Sequence, residues 1–214
     1  MEELNGRWLM EKSLSTSMDA MLKLQGIGWT LRKAIGLATI RLTISIHPGD
    51  KPTPTEKESA PSAPYIDVTA ALTGGLANTH ERWMLDWIPA DQKDYVLGPC
   101  EKQSRFVHGV QDADGNMYPE FEMETHVSDE RAKRYLRGEI NENGSAAKWS
   151  LAMTEGEEHT WVHTFMRNKE VGWTVEQIWA VEEIDGKRYH TRRIVTAKNG
   201  EYVLGKIIYS SIPA

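Results

Sequence analysis

Residues 5–50 read NGRWLMEKSLSTSMDAMLKLQGIGWTLRKAIGLATIRLTISIHPGD, and this segment carries the clearest structural pattern of the chain. It begins with an extended apolar run at 6–10 and ends with period-two alternation over 39–46, so each end predicts a β-strand. Between them, two short segments predict small helices, separated by Gly26 and Gly28, which relieve the steric limit on the turn. The predicted order is strand, helix, turn, helix, strand.

The second half of the chain is a regular series of strand-length segments and turns. The dipeptides Asp185-Gly186 and Asn199-Gly200 accept the positive φ angles of a type I′ turn, so they predict hairpins within an antiparallel meander. A polar segment at 128–137 predicts a surface helix or an irregular excursion. About ten strands are predicted in all, including the first two. The others are 65–72, 81–87, 104–110, 121–126, 149–153, 160–166, 173–182, 188–196 and 202–210.

Composition limits the classes of partner. The chain has 214 residues, 40% of them hydrophobic, and a net charge of -6, which excludes a basic footprint for nucleic acid or an anionic membrane. A single cysteine, Cys100, suits a reducing compartment, and neither a signal peptide nor an apolar run of about 18 residues is visible. We therefore expect a cytoplasmic protein without nucleic-acid partners or stable membrane insertion. The oligomeric state stays open, a homodimer included.

The segment 51–64 contains four prolines among Thr, Ser, Glu and Lys residues. Such a composition neither forms a strand ladder nor buries much surface, so we predict a mobile Pro-rich loop here. A lid over a binding site and plain disorder are both compatible with this loop.

The first fifty residues also carry a family resemblance. A Gly-x-Trp strand, a helix, a Gly-x-Gly elbow followed by Arg-Lys, and a strand ending in Gly-Asp occur in this order, at Gly6, Trp8, Gly26, Gly28, Arg32, Lys33, Gly49 and Asp50. This set resembles the start of the cytosolic fatty-acid-binding barrels. The resemblance implies an all-β fold, a single antiparallel up-and-down β-barrel of about ten strands capped by an N-terminal helix-turn-helix. It also implies one ligand-enclosing domain over 1–214.

The faces of two late strands indicate which polar groups enter the barrel. One face of 173–182 is apolar and aromatic with a single amide, Gln177, so we expect that face to point inward. In 188–196 neither face is apolar throughout, which predicts that one arginine enters the cavity, where its planar donors suit an enolate, tropolonate or carboxylate. His163 is a candidate general acid or base, with a structural histidine as the alternative.

A second resemblance concerns proteins of fungal natural-product pathways. The segments that carry it are RWMLDW at 82–87, GWTVEQIW at 172–179 and YHTRR at 189–193. They resemble small lipocalin-like proteins, some of which are similar to enzymes that join a tropolone quinone methide to a humulene-type terpene by hetero-Diels–Alder addition.

This second resemblance implies roles for individual side chains. Arg193 and Gln177 would bind the oxygens of the substrate, and His163 or Tyr189 would assist loss of water. Tryptophan is common here, with eight residues against three Phe, and its flat rings suit a polycyclic or terpenoid ligand. The predicted ligand-binding residues are Trp83, Trp87, Trp149, Trp161, Trp173, Trp179, Arg105 and Tyr209.

Two functions remain open. The first is cofactor-free catalysis, in which the cavity aligns a hydrophobic substrate and polarises a carbonyl, with hetero-Diels–Alder addition as the best candidate. The second is a noncatalytic carrier of fatty acids or other hydrophobic ligands, although KIIY at 206–209 lacks the Arg-x-Tyr that holds a carboxylate in that family. We expect no cofactor, because no nucleotide fingerprint is visible, and no metal, because His159 and His163 lie roughly 13 Å apart on a strand.

Overall fold

The computed structural model describes residues 2–49, 63–74, 78–94, 96–152 and 160–213. Its strands are β1 (Gly6–Met10), β2 (Ile40–His47), β3 (Tyr65–Leu72), β4 (Thr79–Met84), β5 (Ala90–Asp94), β6 (Gly98–Gln111), β7 (Met117–Pro119), β8 (Thr160–Asn168), β9 (Trp173–Ile184), β10 (Lys187–Lys198) and β11 (Glu201–Ile212). Its helices are α1 (Asp19–Leu24), α2 (Trp29–Leu37) and α3 (Glu130–Leu136), preceded by a 3₁₀ turn at Glu2–Leu4.

The described strands form one antiparallel sheet in the order β4-β3-β2-β1-β11-β10-β9-β8-β6-β5, with β7 paired to β6. The first and last strands are neighbours, because β1 pairs with β11. The sheet also curls back toward its start. Ser104 on β6 donates its hydroxyl to the Met84 carbonyl at 2.7 Å, and its own carbonyl accepts the Trp87 N–H at 2.9 Å. The predicted all-β, up-and-down barrel is therefore confirmed.

The inner face of the sheet holds the main hydrophobic core. Its largest side chains are four indoles from three strands, Trp8, Trp83, Trp173 and Trp179, each at most 3% exposed. Met21 on α1 belongs to the same core, so this helix packs against the interior of the barrel. Of the two helices predicted as a cap, α1 therefore covers the barrel interior directly, and α2 packs against α1.

A second core covers the outer face of several strands. The segment 112–151, which includes α3, packs against the outer sides of β6 and of β8 to β10. Its members include Tyr135 and Leu136 from α3, which meet Trp161 and Ile178 from the sheet. Both faces of these strands are therefore buried, so alternation of apolar and polar residues no longer separates inside from outside.

Three predictions about strands differ from the structure. The segment 121–126 is not a strand, because its backbone N–H groups at Glu124 and Thr125 donate to the carboxylate of Glu176 rather than to a neighbouring strand. Within 149–152, the pairing is limited to an isolated bridge from Leu151 to Glu182. The polar segment that forms β5 is not among the predicted strands; it pairs with β6 on one side and ends the sheet order.

The structure does not test three of the predictions, which concern the Pro-rich loop, the single domain and the cytoplasmic location. The Pro-rich loop at 51–64 lies outside the described residues except for its last two positions. The single domain over 1–214 and the cytoplasmic location stay predictions. Among the described residues, no helix has the length and apolar character needed to cross a membrane.

Gly138, in the turn that follows α3, lies against the ring of Trp149. Gly138 has a φ of +79°, and an added Cβ would come within 2.4 Å of Trp149 Nε1. We expect Gly138→Ala to lower the free energy of unfolding by about 3 kcal/mol, from backbone strain and overpacking together. Gly144→Ala is the matched control, because its φ of +86° carries the same strain with nothing near its Cβ, and it should cost about 1 kcal/mol. Urea denaturation of both variants measures the difference, and equal losses would contradict the packing argument.

Candidate functional site

A cavity of about 190 Å³ lies inside the barrel, between α1 and the inner face of the sheet. Apolar side chains such as Met21, Met166 and Ile194 form much of its wall. Its polar lining includes Gln177 on β9 and Arg192 on β10. A charged side chain in such apolar surroundings is costly unless it is paired or meets a ligand, which makes Arg192 a candidate ligand-binding group.

Arg192 is held rigidly against the aromatic wall of the barrel. Its guanidinium carbon lies 3.8 Å from the centre of the Trp179 ring, and its Nε donates to His190 Nε2 at 2.9 Å. The Nη2 atom is buried and has no hydrogen-bond partner among the described residues. Burial lowers the pKa of Arg192, but an arginine remains protonated in proteins. Arg192 therefore presents an unused, charged donor within the barrel interior.

His190 fixes the orientation of this arginine. Its Nδ1 lies 3.2 Å from the Ala180 carbonyl, so Nδ1 carries the proton and donates, while Nε2 accepts from Arg192. Burial, together with the charge of Arg192, holds the pKa of His190 well below its usual value. The ring also stacks on Tyr209, with centroids 5.4 Å apart. His190 is thus a neutral acceptor that supports Arg192.

Two indoles of the interior are fixed by their own hydrogen bonds. Trp179 Nε1 donates to Gln177 Oε1 at 3.0 Å, and Trp83 Nε1 donates to Glu81 at 2.9 Å. The two rings meet edge to face with centroids 6.0 Å apart. Since the oxygen of Gln177 is engaged, its amide nitrogen is the group left to serve a ligand. Gln177 and Arg192 therefore offer the cavity a neutral and a charged nitrogen donor.

The structure brings several of the predicted site residues together in the barrel interior. Those on its inner face are Gln177, Trp83, Trp173, Trp179 and Tyr209. Arg192 and His190 were missed, although both neighbour predicted residues in sequence.

Arg193 does not enter the cavity, which corrects the prediction that it binds substrate there. Its side chain points to the outer face, where it is 2% exposed. Nη1 donates to the carbonyls of Tyr135 at 3.2 Å and Ile140 at 2.8 Å, and the guanidinium lies between the rings of Tyr135 and Trp149. The predicted ligand-binding residues Trp149 and Trp161 belong to this same outer core.

Tyr189 is also displaced from the cavity. It alternates with His190 along β10 and so lies on the same outer side of the sheet as Arg193. The interior residues of this strand are instead the even-numbered ones, including Ile194. The tyrosine is therefore not positioned to protonate a ligand in the cavity.

His163 lies on the outer face as well, in a closed polar network. Its Nε2 is 2.8 Å from Glu176 Oε1, and both side chains are fully buried. Arg105 Nε donates to His163 Nδ1 at 3.4 Å, which places the ring proton on Nε2. The ring packs against Trp87 and Phe121, with centroids 4.5 and 4.6 Å away. The predicted residues Trp87, Arg105 and His163 thus meet one another, but outside the cavity.

The two buried histidines make stability depend on pH. Burial lowers the pKa of His163 and of His190 in the folded protein, and the charges of Arg105 and Arg192 add to this, while Glu176 opposes it at His163. An unfolded histidine binds a proton near pH 6.5, so below that pH the unfolded state holds more protons and stability falls, by up to about 1.4 kcal/mol per pH unit for each histidine.

We therefore expect the free energy of unfolding in urea to be about 1–3 kcal/mol lower at pH 5.5 than at pH 7.5. In His190→Gln this pH effect should be about half as large. The exposed His126 provides the control, since His126→Gln should keep the full pH effect. An unchanged pH effect in His190→Gln would contradict a neutral, buried His190.

The chain is similar to two curated proteins over nearly its whole length. The probable pericyclase scpY of Mollisia scopiformis is 24% identical over 212 residues, which cover 99% of this chain and 91% of that protein. The pericyclase pydY of an Acremonium species is 23% identical over 203 residues, covering 95% and 88%. No family model matches the sequence.

Two solved structures align with nearly the whole chain at low sequence identity. As-p18, an extracellular fatty acid binding protein, aligns with a TM-score of 0.34 and 15% identity over 99% of this chain and 97% of its own. The zebrafish ileal bile acid-binding protein complexed with cholic acid aligns with a TM-score of 0.41 and 9% identity, covering 97% and 98%.

Proposed function

We propose that this protein is a cofactor-free cyclase of the pericyclase type, which encloses a hydrophobic substrate in the barrel interior. The observation that carries the proposal is the buried Nη2 of Arg192, a charged donor without a partner among the described residues, inside an apolar cavity. Such a donor is suited to a carbonyl or enolate oxygen on which negative charge develops. The similarity to two proteins named as pericyclases supports the same reaction class.

The proposed mechanism requires only that the protein align the reacting atoms of the substrate and polarise one of its oxygens. A pericyclic reaction breaks and forms its bonds in a single cyclic step, so aligning the reacting atoms removes much of the entropy barrier. Arg192, and in a smaller measure the amide of Gln177, would draw electron density onto the bound oxygen and lower the remaining barrier. His190 is a neutral support in this scheme. His163 and Tyr189, which lie on the outer face, take no part in it.

The finer proposal is an intermolecular hetero-Diels–Alder addition of a tropolone quinone methide to a humulene-type terpene. It demands space for two reactants, and the cavity of about 190 Å³ is smaller than the ~300–1,000 Å³ of pockets for drug-sized ligands. The residues Met18, Met21, Leu22 and Gln25, in and around α1, form one wall of the cavity. An outward movement of this wall would admit the second reactant.

One titration separates this function from that of a carrier. Intrinsic tryptophan fluorescence is followed with a fatty acid and, separately, with a panel of tropolones and terpenoids, and products are identified by mass spectrometry. A cyclase should be quenched by few ligands of the panel and should form an adduct faster than buffer does. Quenching by fatty acids alone, with every ligand recovered intact, would instead establish the noncatalytic carrier.

A further inference from the structure

Gln25, at the end of α1, is a polar residue in the helical wall of the barrel cavity. It is 9% exposed and lines the cavity together with three apolar residues of the same wall, Met18, Met21 and Leu22. Its backbone N–H donates to the Met21 carbonyl at 3.1 Å, whereas its side-chain amide forms no hydrogen bond with any described residue. A buried amide without a partner is destabilising, so this side chain costs stability unless a ligand meets it.

Thr196 brings a second neutral polar group to the same end of the cavity. Gly26, next to Gln25, lies against the turn between β8 and β9, where an added Cβ would be 3.8 Å from Val171 Cγ1. Thr196 is 1% exposed, belongs to the cavity lining and pairs with Val175 near the start of β9. Gln25 and Thr196 therefore both lie at the end of the cavity where β9 begins.

Arg192 lies farther along the same wall. It pairs with Trp179, four residues beyond the partner of Thr196 on β9. Since a strand rises about 3.3 Å per residue, the backbones of Arg192 and Thr196 are roughly 13 Å apart. Between them, Ile194 supplies an apolar surface and Gln177 a single amide. The cavity thus has polar groups at two separate places, with the charge of Arg192 at one and uncharged side chains at the other.

We propose that the substrate carries a second polar group, a neutral hydroxyl or amide, which hydrogen-bonds to Gln25 and Thr196 while the reacting carbonyl lies at Arg192. The amide of Gln25 and the hydroxyl of Thr196 each offer a donor and an acceptor, and neither carries a charge, so they suit a neutral group. Because Gln25 belongs to α1, this bond fixes the substrate against the helical wall, and Gln25 determines specificity. The inference rests on the proposed function for the position of the carbonyl, but the bond to Gln25 also forms with a ligand that is not transformed.

The test compares two probes that differ in one hydroxyl. The first is a ten-carbon methyl ketone, and the second is the same ketone with a hydroxyl on its far terminal carbon. Binding of each is measured by quenching of tryptophan fluorescence. A hydroxyl that enters an apolar cavity without a partner weakens binding by about tenfold or more, whereas a hydrogen-bond partner offsets this cost. The parent protein should therefore bind the hydroxy ketone at least as tightly as the ketone.

Two variants remove the partners of the hydroxyl. Gln25→Met keeps a side chain of similar length in the helical wall, and Thr196→Val keeps the branched shape on the strand. Each should lower the affinity for the hydroxy ketone about fivefold or more and change the affinity for the plain ketone less than twofold. Lys23, an exposed residue of α1, gives the matched control Lys23→Met, which should bind both probes like the parent.

Thermal unfolding distinguishes ligand binding from a structural role of Gln25. Because Gln25→Met removes an amide without a partner, its melting temperature should equal that of the parent or rise by up to about 4 °C. A marked fall in the melting temperature would mean that Gln25 holds α1 in place, which contradicts the inference.

The binding results that would overturn the inference are also defined. One is a parent protein that binds the hydroxy ketone at least about tenfold more weakly than the ketone, or that binds neither probe. Another is a hydroxyl contribution that survives in both Gln25→Met and Thr196→Val, which would place the hydroxyl elsewhere in the cavity, for example at Glu81.

The outcome is separable from that of the proposed function. If binding of the hydroxyl depends on Gln25 but no adduct forms with any member of the panel, the inference holds and the cyclase proposal fails. If an adduct forms while the hydroxyl contributes nothing to binding in the parent, the cyclase proposal holds and this inference fails.

Discussion

Replacing Arg192 by methionine is expected to lower the rate of adduct formation at least about 100-fold. Loss of one preorganised donor to a developing oxyanion typically has this effect, and Arg192 provides the charged donor of the cavity lining. Because methionine retains an apolar stem against Trp179, the free energy of unfolding should change by less than about 2 kcal/mol. The measurements are kcat and KM with the substrate that the panel identifies, and urea denaturation of the same variant.

The two kinetic constants distinguish the roles that Arg192 could have. A donor that acts mainly in the transition state should lower kcat more than it raises KM. Arg188 on the same strand gives the control, since it is exposed and pairs with Glu3, and Arg188→Met should retain full activity. Full activity in Arg192→Met would contradict the proposal that Arg192 polarises an oxygen of the substrate. Arg192→Lys tests geometry, because it keeps a charge but loses the planar fork.

The position of Arg192 could have been predicted from the sequence. The turn at Asp185-Gly186 is a two-residue hairpin, which fixes the pairing of β9 with β10 so that Trp179 lies opposite Arg192. Residues opposite each other across two strands share a face. Since the Trp179 face was assigned inward, the register alone places Arg192 inward and Arg193 outward. The prediction used the alternation within β10 alone, without its pairing to β9. It therefore placed Arg193 instead of Arg192 inside the barrel.

The outer core was harder to predict. Its connecting segment, 112–151, has short apolar stretches without a period of two or 3.6, and α3 is short, at seven residues. Its packing makes the outer faces of β8 to β10 as buried as the inner ones, so the sequence shows apolar residues on both sides. Trp149 and Trp161 therefore looked like cavity residues, although they fill the space beneath this segment. By contrast, the barrel order followed from local signals, namely the N-terminal pattern and the hairpin turns.

Replacing Arg193 by methionine is expected to lower stability and leave activity nearly unchanged, the reverse of the expectation for Arg192, although the two residues are adjacent in sequence. Its Nη1 satisfies the carbonyls of Tyr135 and Ile140, and its guanidinium fills the space between the rings of Tyr135 and Trp149. Arg193→Met leaves two buried carbonyls without a donor, so we expect the free energy of unfolding to fall by about 3 kcal/mol or more.

The barrel cavity lies on the other face of the sheet, so folded Arg193→Met should form adduct at a rate within about threefold of the parent, when assayed well below its melting temperature. Unfolding in urea and single-turnover rates at equal folded concentration provide the two readouts. A stable Arg193→Met that has lost catalysis would mean that the outer face holds the reacting atoms. Because Arg192→Met and Arg193→Met remove the same charge one residue apart, the pair separates the effect of position from that of charge.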